Sequence, residues 1–392
     1  MLTDLEKIKN LHKELKLSGM PKNALLNAPD GLLDYFIQVM RDEKEVVLPI
    51  YSYDDWQSFI KLLALHGVLP LFYWHIKLLP KKLHPPEKIF SYLKNVFLLS
   101  SARSLKTDSQ LALILEAFEK EKIEYLVLKG KAYEKMIYPN SAIRPSNDID
   151  ILILPNQVKR GEEILLALKY ECKNHIFDNL KEVFIEEVFI DKNNKKAVID
   201  LHWSLHGFLG MNNPDNDMKA IFDRKIEVKG QLLSFKTLDL IDSLIHAAIH
   251  ARMIHGEEMR LIWLYDISLL LQEIIAENRI DELKDKSVAF GARLAVESAV
   301  KISQLWSGFK IPIGLFGFDE WPKPTKQEIN VWENFNLRSR SIISWYNSRW
   351  PKNLNWRRQL RLFFNVLFSY KRKNLSKFFR KEIIWDDRKL KM

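Results

Sequence analysis

The sequence predicts an α+β chain in which a small mixed-sheet domain is embedded between helical regions. Three observations predict it. Apolar residues recur at three- to four-residue spacing through much of the first 120 residues. Short apolar runs bounded by Gly, Pro and Asn fill the stretch from 121 to about 206, and helical spacing returns from 237 onward. The implied divisions are a helical region at 1–120, the sheet domain at 121–235, and a helical domain completing a cleft at 236–310. A connector and a basic, aromatic-rich helical tail occupy 311–392.

In the front region, DDWQSFIKLLALH (54–66) places Trp56, Phe59, Ile60, Leu63 and His66 on one helical stripe after an acidic start, with Gly67 as a stop. VLPLFYWHI reads as a further short buried helix. Pro80, Pro85 and Pro86 then punctuate the chain before a long helix over roughly 87–120. The texture changes at EYLVLKG (124–130): Tyr125–Leu128 is a compact buried strand, and Gly130 permits a tight passage into the short helix KAYEKMIY. NDIDILIL is the next strand, stopped by Pro155, and 157–169 is a charged, leucine-rich helix. VFIEEVFI and KAVIDLHW flank the polar connector DKNNKK as a hairpin, so the order is strand, helix, strand, helix, strand, strand. From 237 to about 275 two packed helices are expected to join near Gly256, and 284–308 reads as one further helix.

Composition bounds the function classes. The 392 residues include one cysteine, Cys172, which excludes an intramolecular disulfide framework and favours an intracellular, cytoplasmic setting. No run of about 18 apolar residues suits a spanning helix, and the charged N-terminus does not read as a secretory signal. The formal charge of +10 is uneven. Residues 331–392 hold sixteen Lys or Arg against four Asp or Glu, a net of +12, which leaves −2 for everything before them. The positive field thus belongs to the tail.

The chemistry-bearing residues lie in the sheet domain. Strand alternation projects Asp148 and Asp150 to one face, with Ile149 and Ile151 on the other. Two like charges on one face repel, and a divalent cation turns that repulsion into coordination; magnesium prefers such oxygen ligands. A DxD alone is common, with strand-end solubility as the plain alternative. In KAVIDLHW, Asp200 and His202 share a face with Val198, and a carboxylate in an otherwise apolar strand is costly without a partner. If that strand neighbours the first, Asp200 completes a three-carboxylate site. At the Lys129–Gly130 turn, backbone N–H groups and the Lys129 charge can meet phosphate, while Lys131 reads as solvent-facing on the first helical turn.

LVLKG at 126–130, IYP at 137–139, Arg144 and the DID of AIRPSNDIDILI, and VIDLHW at 198–203 together resemble the uncharacterised nucleotidyltransferase family, within the polymerase-β-like superfamily. The resemblance covers about 124–206 and extends into the helical segment that follows. It implies two metal-binding aspartates, Asp148 and Asp150, a third carboxylate, Asp200, and nucleotide contacts from Lys129, Gly130 and Arg144. Mg2+, with Mn2+ as a substitute, and an NTP such as ATP are the implied cofactor and substrate. The wider superfamily usually carries Gly-Ser at the turn where this chain has Lys129-Gly130, so a serine contact to phosphate is absent.

The implied reaction transfers a nucleoside monophosphate to an acceptor hydroxyl on a small molecule or protein and releases pyrophosphate. A catalytically inactive nucleotide-binding or protein-interaction module is the alternative. A kinase is disfavoured because neither GxGxxG nor GxxxxGK[ST] occurs at a strand-to-helix junction. His246 and His250, one helical step of four apart, lack the Glu of HExxH and read as packing or cleft residues. His202 reads as support for Asp200. For the tail, a basic outer face on a packed helix is favoured over a peripheral membrane or nucleic-acid contact.

Overall fold

The computed structural model describes residues 6–10, 25–146, 148–173, 185–193, 197–205, 218–230, 233–254, 259–309 and 321–336. The front section is helical as expected. Helix α1 (Asp30–Met40) leads into α2 (Tyr53–Leu65), α3 (Leu69–Ile76) and α4 (Glu87–Lys120). Helix α2 starts where a capping box can form: Ser52 accepts from the Asp55 N–H and the Asp55 side chain answers at the Ser52 N–H. Pro70 lies in the first turn of α3, where its missing N–H costs nothing. Pro86 precedes α4, whose 34 residues make it about 50 Å long.

The sheet domain follows as β1 (Tyr125–Leu128), α5 (Lys129–Met136), β2 (Asp148–Ile153), α6 (Val158–Ala167), β3 (Tyr170–Cys172), β4 (Glu186–Asp191) and β5 (Val198–His202). Helix α7 (Met218–Asp223) and strands β6 (Ile226–Val228) and β7 (Phe235–Thr237) then add a second edge. Among the described residues the sheet has seven strands, in the order β3-β4-β5-β2-β1-β7-β6. The two strands that carry the acids are neighbours: β2 and β5 run parallel, with Asp150 opposite Asp200. The expected β4–β5 pairing is present and antiparallel. The sequence reading lacked β3, β6 and β7, each only three residues long and held in place by the strand beside it.

Alternation divides the sheet into two unlike faces. Tyr125, Val127, Ile149, Ile151, Ile153, Phe189, Ile199 and Leu201 enter the main apolar core, which continues through the front helices and the helices after the sheet. Leu126, Leu128 and Leu152 turn the other way, into a small separate cluster with Leu205, Ile221, Phe222 and Leu238. On that second face Leu152 is followed, toward the start of β2, by Asp150 and Asp148.

The helical return consists of α8 (Leu240–Ile249), a π-helical turn at His250–Ile254, α9 (Leu261–Ala276), α10 (Ile280–Ala289), α11 (Arg293–Ser307) and α12 (Lys326–Asn336). The expected joint near Gly256 lies outside the described residues. The single helix expected over 284–308 is two. Gly291, at φ +61°, breaks the run, because a left-handed residue cannot continue a right-handed helix. Residues 337–392, nearly all of the basic tail, lie outside the described residues. No helix of the described residues is long and apolar enough to cross a membrane.

Candidate active site

The site begins at the junction of β1 and α5. Lys129 turns the chain with φ at +36°, an uncommon conformation for a residue with a side chain. The tight passage therefore falls on Lys129 rather than on Gly130. Gly130 serves a different need: a Cβ there would run into Ser146 Oγ and stand 3.1 Å from Arg144 Nη1. The absent side chain lets the loop before β2 close onto the turn.

From this junction the Lys129 ammonium reaches Asp150 Oδ1 at 2.9 Å. His202 Nε2 approaches the same oxygen at 3.1 Å, while its Nδ1 lies 3.1 Å from Glu186 Oε2 without hydrogen-bond alignment. Burial alone would raise the Asp150 pKa, but the neighbouring Lys129 and His202 outweigh it and hold the carboxyl well below the usual range. Asp148 is pushed up, by burial first and by Asp150 second. Asp200 goes further, up to about 8, through burial and the negative charges of Asp150 and Glu186. Its Oδ1 is buried and has no hydrogen-bond partner. His202 is raised as well, Glu186 and Asp150 together overcoming the opposing effect of burial.

These shifts describe a carboxylate cluster whose negative charge Lys129 and His202 neutralise only in part. That condition and the all-oxygen donor set fit a hard divalent cation. Among the described residues no three His, Cys, Asp or Glu side chains converge to hold one ion. Magnesium does not require it, since one or two carboxylates with substrate phosphates and water suffice. Asp148 and Asp150 are the pair that fits, and Lys129 now stands against one of them as the local cation.

A cleft of about 600 Å³ opens over this end of the sheet, a size suited to a small ligand. Lys129, Gly130, Arg144, Asp148 and Asp150 all line it, whereas Asp200 joins them through the strand register and does not line the cleft. The opposite wall is helical, with Ser100 and Arg103 from α4, His250 from the π turn, and Arg260 and Trp263 at the start of α9. His250 meets Trp263 edge-on at 4.7 Å between ring centroids, so of the two histidines spaced by four it is the one that lines the cleft.

Arg144 reaches this wall held from behind. Its Nη2 and Nε donate to the two Asp266 carboxylate oxygens at 2.7 and 3.1 Å, and Tyr138 Oη donates to Asp266 at 2.8 Å. Asp266 was not singled out in the sequence. It sits within the apolar run LIWLYDISLLL, and only the cost of burying an unpaired acid there marked it. Lys131 departs from its expected place on the solvent side. It is 1% exposed, ion-paired with Asp108 and Glu134 and donating to Ser104, because the first turn of α5 lies against α4.

The nucleotidyltransferase resemblance has an independent counterpart. The profile of a family described as uncharacterised nucleotidyltransferase matches residues 52–308, from the start of α2 to the end of α11. A search of curated proteins gave no match. Among solved structures, the chain is similar to an antigenic nucleotidyltransferase-like protein from Paracoccidioides brasiliensis at 13% identity and a TM-score of 0.27, covering 50% of this chain and 92% of that one. At that score the likeness carries no weight in assigning function. The family match spans well over half of the sequence and includes both acid-bearing strands, the Lys129–Gly130 turn and both walls of the cleft, so the chain belongs to the uncharacterised nucleotidyltransferase family.

Proposed function

We propose that the chain transfers a nucleoside monophosphate from an NTP to an acceptor hydroxyl and releases pyrophosphate. One observation carries this reading: Asp148 and Asp150 open into a nucleotide-sized cleft while the register sets a third carboxylate, Asp200, directly beside Asp150. The donors at the same end belong to phosphate recognition. Gly130 lets the loop bearing Arg144 and Ser146 close onto the turn, Arg144 presents a guanidinium steadied by Asp266, and Lys129 supplies positive charge.

A divalent cation at Asp148 and Asp150 would polarise the phosphate oxygens and favour ionisation of the acceptor hydroxyl. The residues around it position both substrates. As the new oxygen–phosphorus bond forms at the α-phosphate, the acceptor proton passes by way of solvent to Asp200, which stands beside Asp150 behind the cleft lining. Asp200 takes it in the ionised form, which a nearby cation favours over its raised value. The bond from the α-phosphorus to the bridging oxygen breaks, and pyrophosphate leaves with its electron pair. His202 keeps Asp150 ionised and oriented throughout.

Purified protein with Mg2+ or Mn2+ and each α-labelled NTP, incubated with cell extract fractionated into metabolites, proteins and nucleic acids, tests the reading. Label is expected on a metabolite or protein, and Asp148→Asn and Asp150→Asn are each expected to lower transfer at least a hundredfold, roughly the loss of one charge-stabilising group. Absence of label from every fraction, or full activity in both variants at limiting metal, overturns the assignment.

A further inference from the structure

The cleft has a charge asymmetry that the carboxylate centre leaves unexplained. Of the cations lining it, Lys129 is committed to Asp150, Arg144 to Asp266, and Arg103 on α4 is engaged as well. Arg260 is different. Among the described residues no carboxylate pairs with it, its Nε is buried without a hydrogen-bond partner, and its guanidinium rests 5.5 Å from the ring centroid of Trp263. The helix that Arg260 precedes is met by other groups, the Leu261 and Ile262 N–H donating to His66 Nδ1 and His66 O. A second cleft residue shares the condition. Ser100 is 8% exposed, and its hydroxyl finds no partner although it lines the same space.

Leaving buried donors unsatisfied is expensive, and a guanidinium in a cleft is satisfied by an anion with several oxygens. We propose that Arg260, with Ser100, binds the polyphosphate of the nucleotide from the helical wall, opposite the Lys129–Gly130 turn. This rests on the nucleotidyl-transfer reading and adds to it where the charge of the triphosphate is met. A triphosphate carries more negative charge than one cation at Asp148 and Asp150 offsets, and Lys129 and Arg144, each sharing its charge with a carboxylate, meet only part of the rest. Trp263 holds the guanidinium in place, since a cation over an aromatic face is attracted to it.

Calorimetric titration of the full chain with inorganic tripolyphosphate, magnesium–ATP and adenosine tests the proposal. Arg260→Gln is expected to weaken both phosphate-bearing probes roughly ten- to a hundredfold, the range for a lost charge-assisted contact, and to leave adenosine unchanged. Arg260→Lys keeps the charge and the packing on Trp263 and is expected to fall between wild type and Arg260→Gln, which guards against a loss due to misfolding. Ser100→Ala is expected to weaken the same two probes several-fold. Unchanged tripolyphosphate and magnesium–ATP affinity in a folded Arg260→Gln protein overturns the inference and leaves the transfer reading standing, as does a rise confined to the KM of the acceptor. Wild-type protein that binds none of the three probes overturns both.

Discussion

Lys129 occupies a backbone conformation that glycine would adopt at less cost, yet a lysine stands there because its side chain is required at Asp150. The two demands can be separated. Lys129→Met loses the ion pair and keeps the left-handed strain, whereas Lys129→Gly loses the ion pair and releases about 1–2 kcal/mol of strain. Removing one partner of a buried pair costs about 3–5 kcal/mol, so both variants are expected to be destabilised, with Lys129→Met the worse. Denaturant unfolding with chelator present measures the order, and a more stable methionine variant would contradict the strain argument. The pH dependence follows from Asp150, whose folded pKa lies below its unfolded value. Its contribution is complete above the ordinary aspartate range and fades as pH falls from there through the lowered folded value, so wild type and Lys129→Met should converge only in strong acid. Asp266 makes a second case. Asp266→Ala leaves Arg144 and Tyr138 buried without their acceptor and is expected to cost about 3–5 kcal/mol, while Asp266→Asn, which keeps one oxygen, costs less. Equal stability of the alanine variant and wild type would remove Asp266 from the site's support. The alternation that set Asp148 with Asp150, and Asp200 with His202, was readable because a strand has a period of two, whereas the meeting of the two sets depended on the pairing of β2 with β5. Asp266 and Arg260 were not readable in the same way: their meaning lies in partners, or the lack of them, 122 residues away or across a cleft.

At the scale of elements, α5 shows how the phosphate turn is anchored. Lys131 and Lys135 interlock with Asp108 and Glu134, two charges of each sign enclosed between α4 and α5. Such a cluster adds little net stability over an apolar core, but it breaks expensively, which makes it a locator of the helix rather than a source of folding energy. Lys131→Met is expected to destabilise the protein by about 3 kcal/mol or more, and adding Asp108→Asn should recover part of the loss by removing a stranded charge. A double variant no more stable than the single one in denaturant titrations would refute the pairing. Long amphipathic elements were legible, as the agreement of α4 with the apolar spacing over 87–120 shows. The three-residue strands were not, because a run of that length has no periodicity of its own; β7 owes its place to pairing with β1 and β6. Residues 280–307 escaped for the opposite reason, since two apolar stripes continued across Gly291 and concealed the left-handed turn between α10 and α11.

Across the whole molecule, the cleft is shared between parts of the chain far apart in sequence. The sheet supplies carboxylates and the turn, α4 supplies Ser100 and Arg103, and α9 supplies Arg260 and Trp263. A fragment limited to 121–235 would retain the acids and lose one wall. The C-terminal boundary is less obvious, because the family match ends at 308 while α12 still packs on the body. Glu328 Oε1 accepts the Leu294 N–H at 2.7 Å, and Arg252 lies 5.6 Å from the centre of the Trp332 ring. Ending the chain at 308 therefore uncovers α11 and the π turn that bears His250, whereas ending it at 336 keeps those contacts and removes nearly all of the basic tail. The shorter chain is expected to lose thermal stability and magnesium–ATP affinity together. The longer one should keep both, because among the described residues no cleft residue lies beyond Trp263. Charge reversals at several Lys and Arg positions between 337 and 392 give the same comparison in the full-length protein. Their expected effect is on association or acceptor access, read as a changed salt dependence, with nucleotide affinity unaltered. A folded charge-reversal variant that no longer binds magnesium–ATP would assign the tail a direct part in the reaction centre and overturn this division of labour.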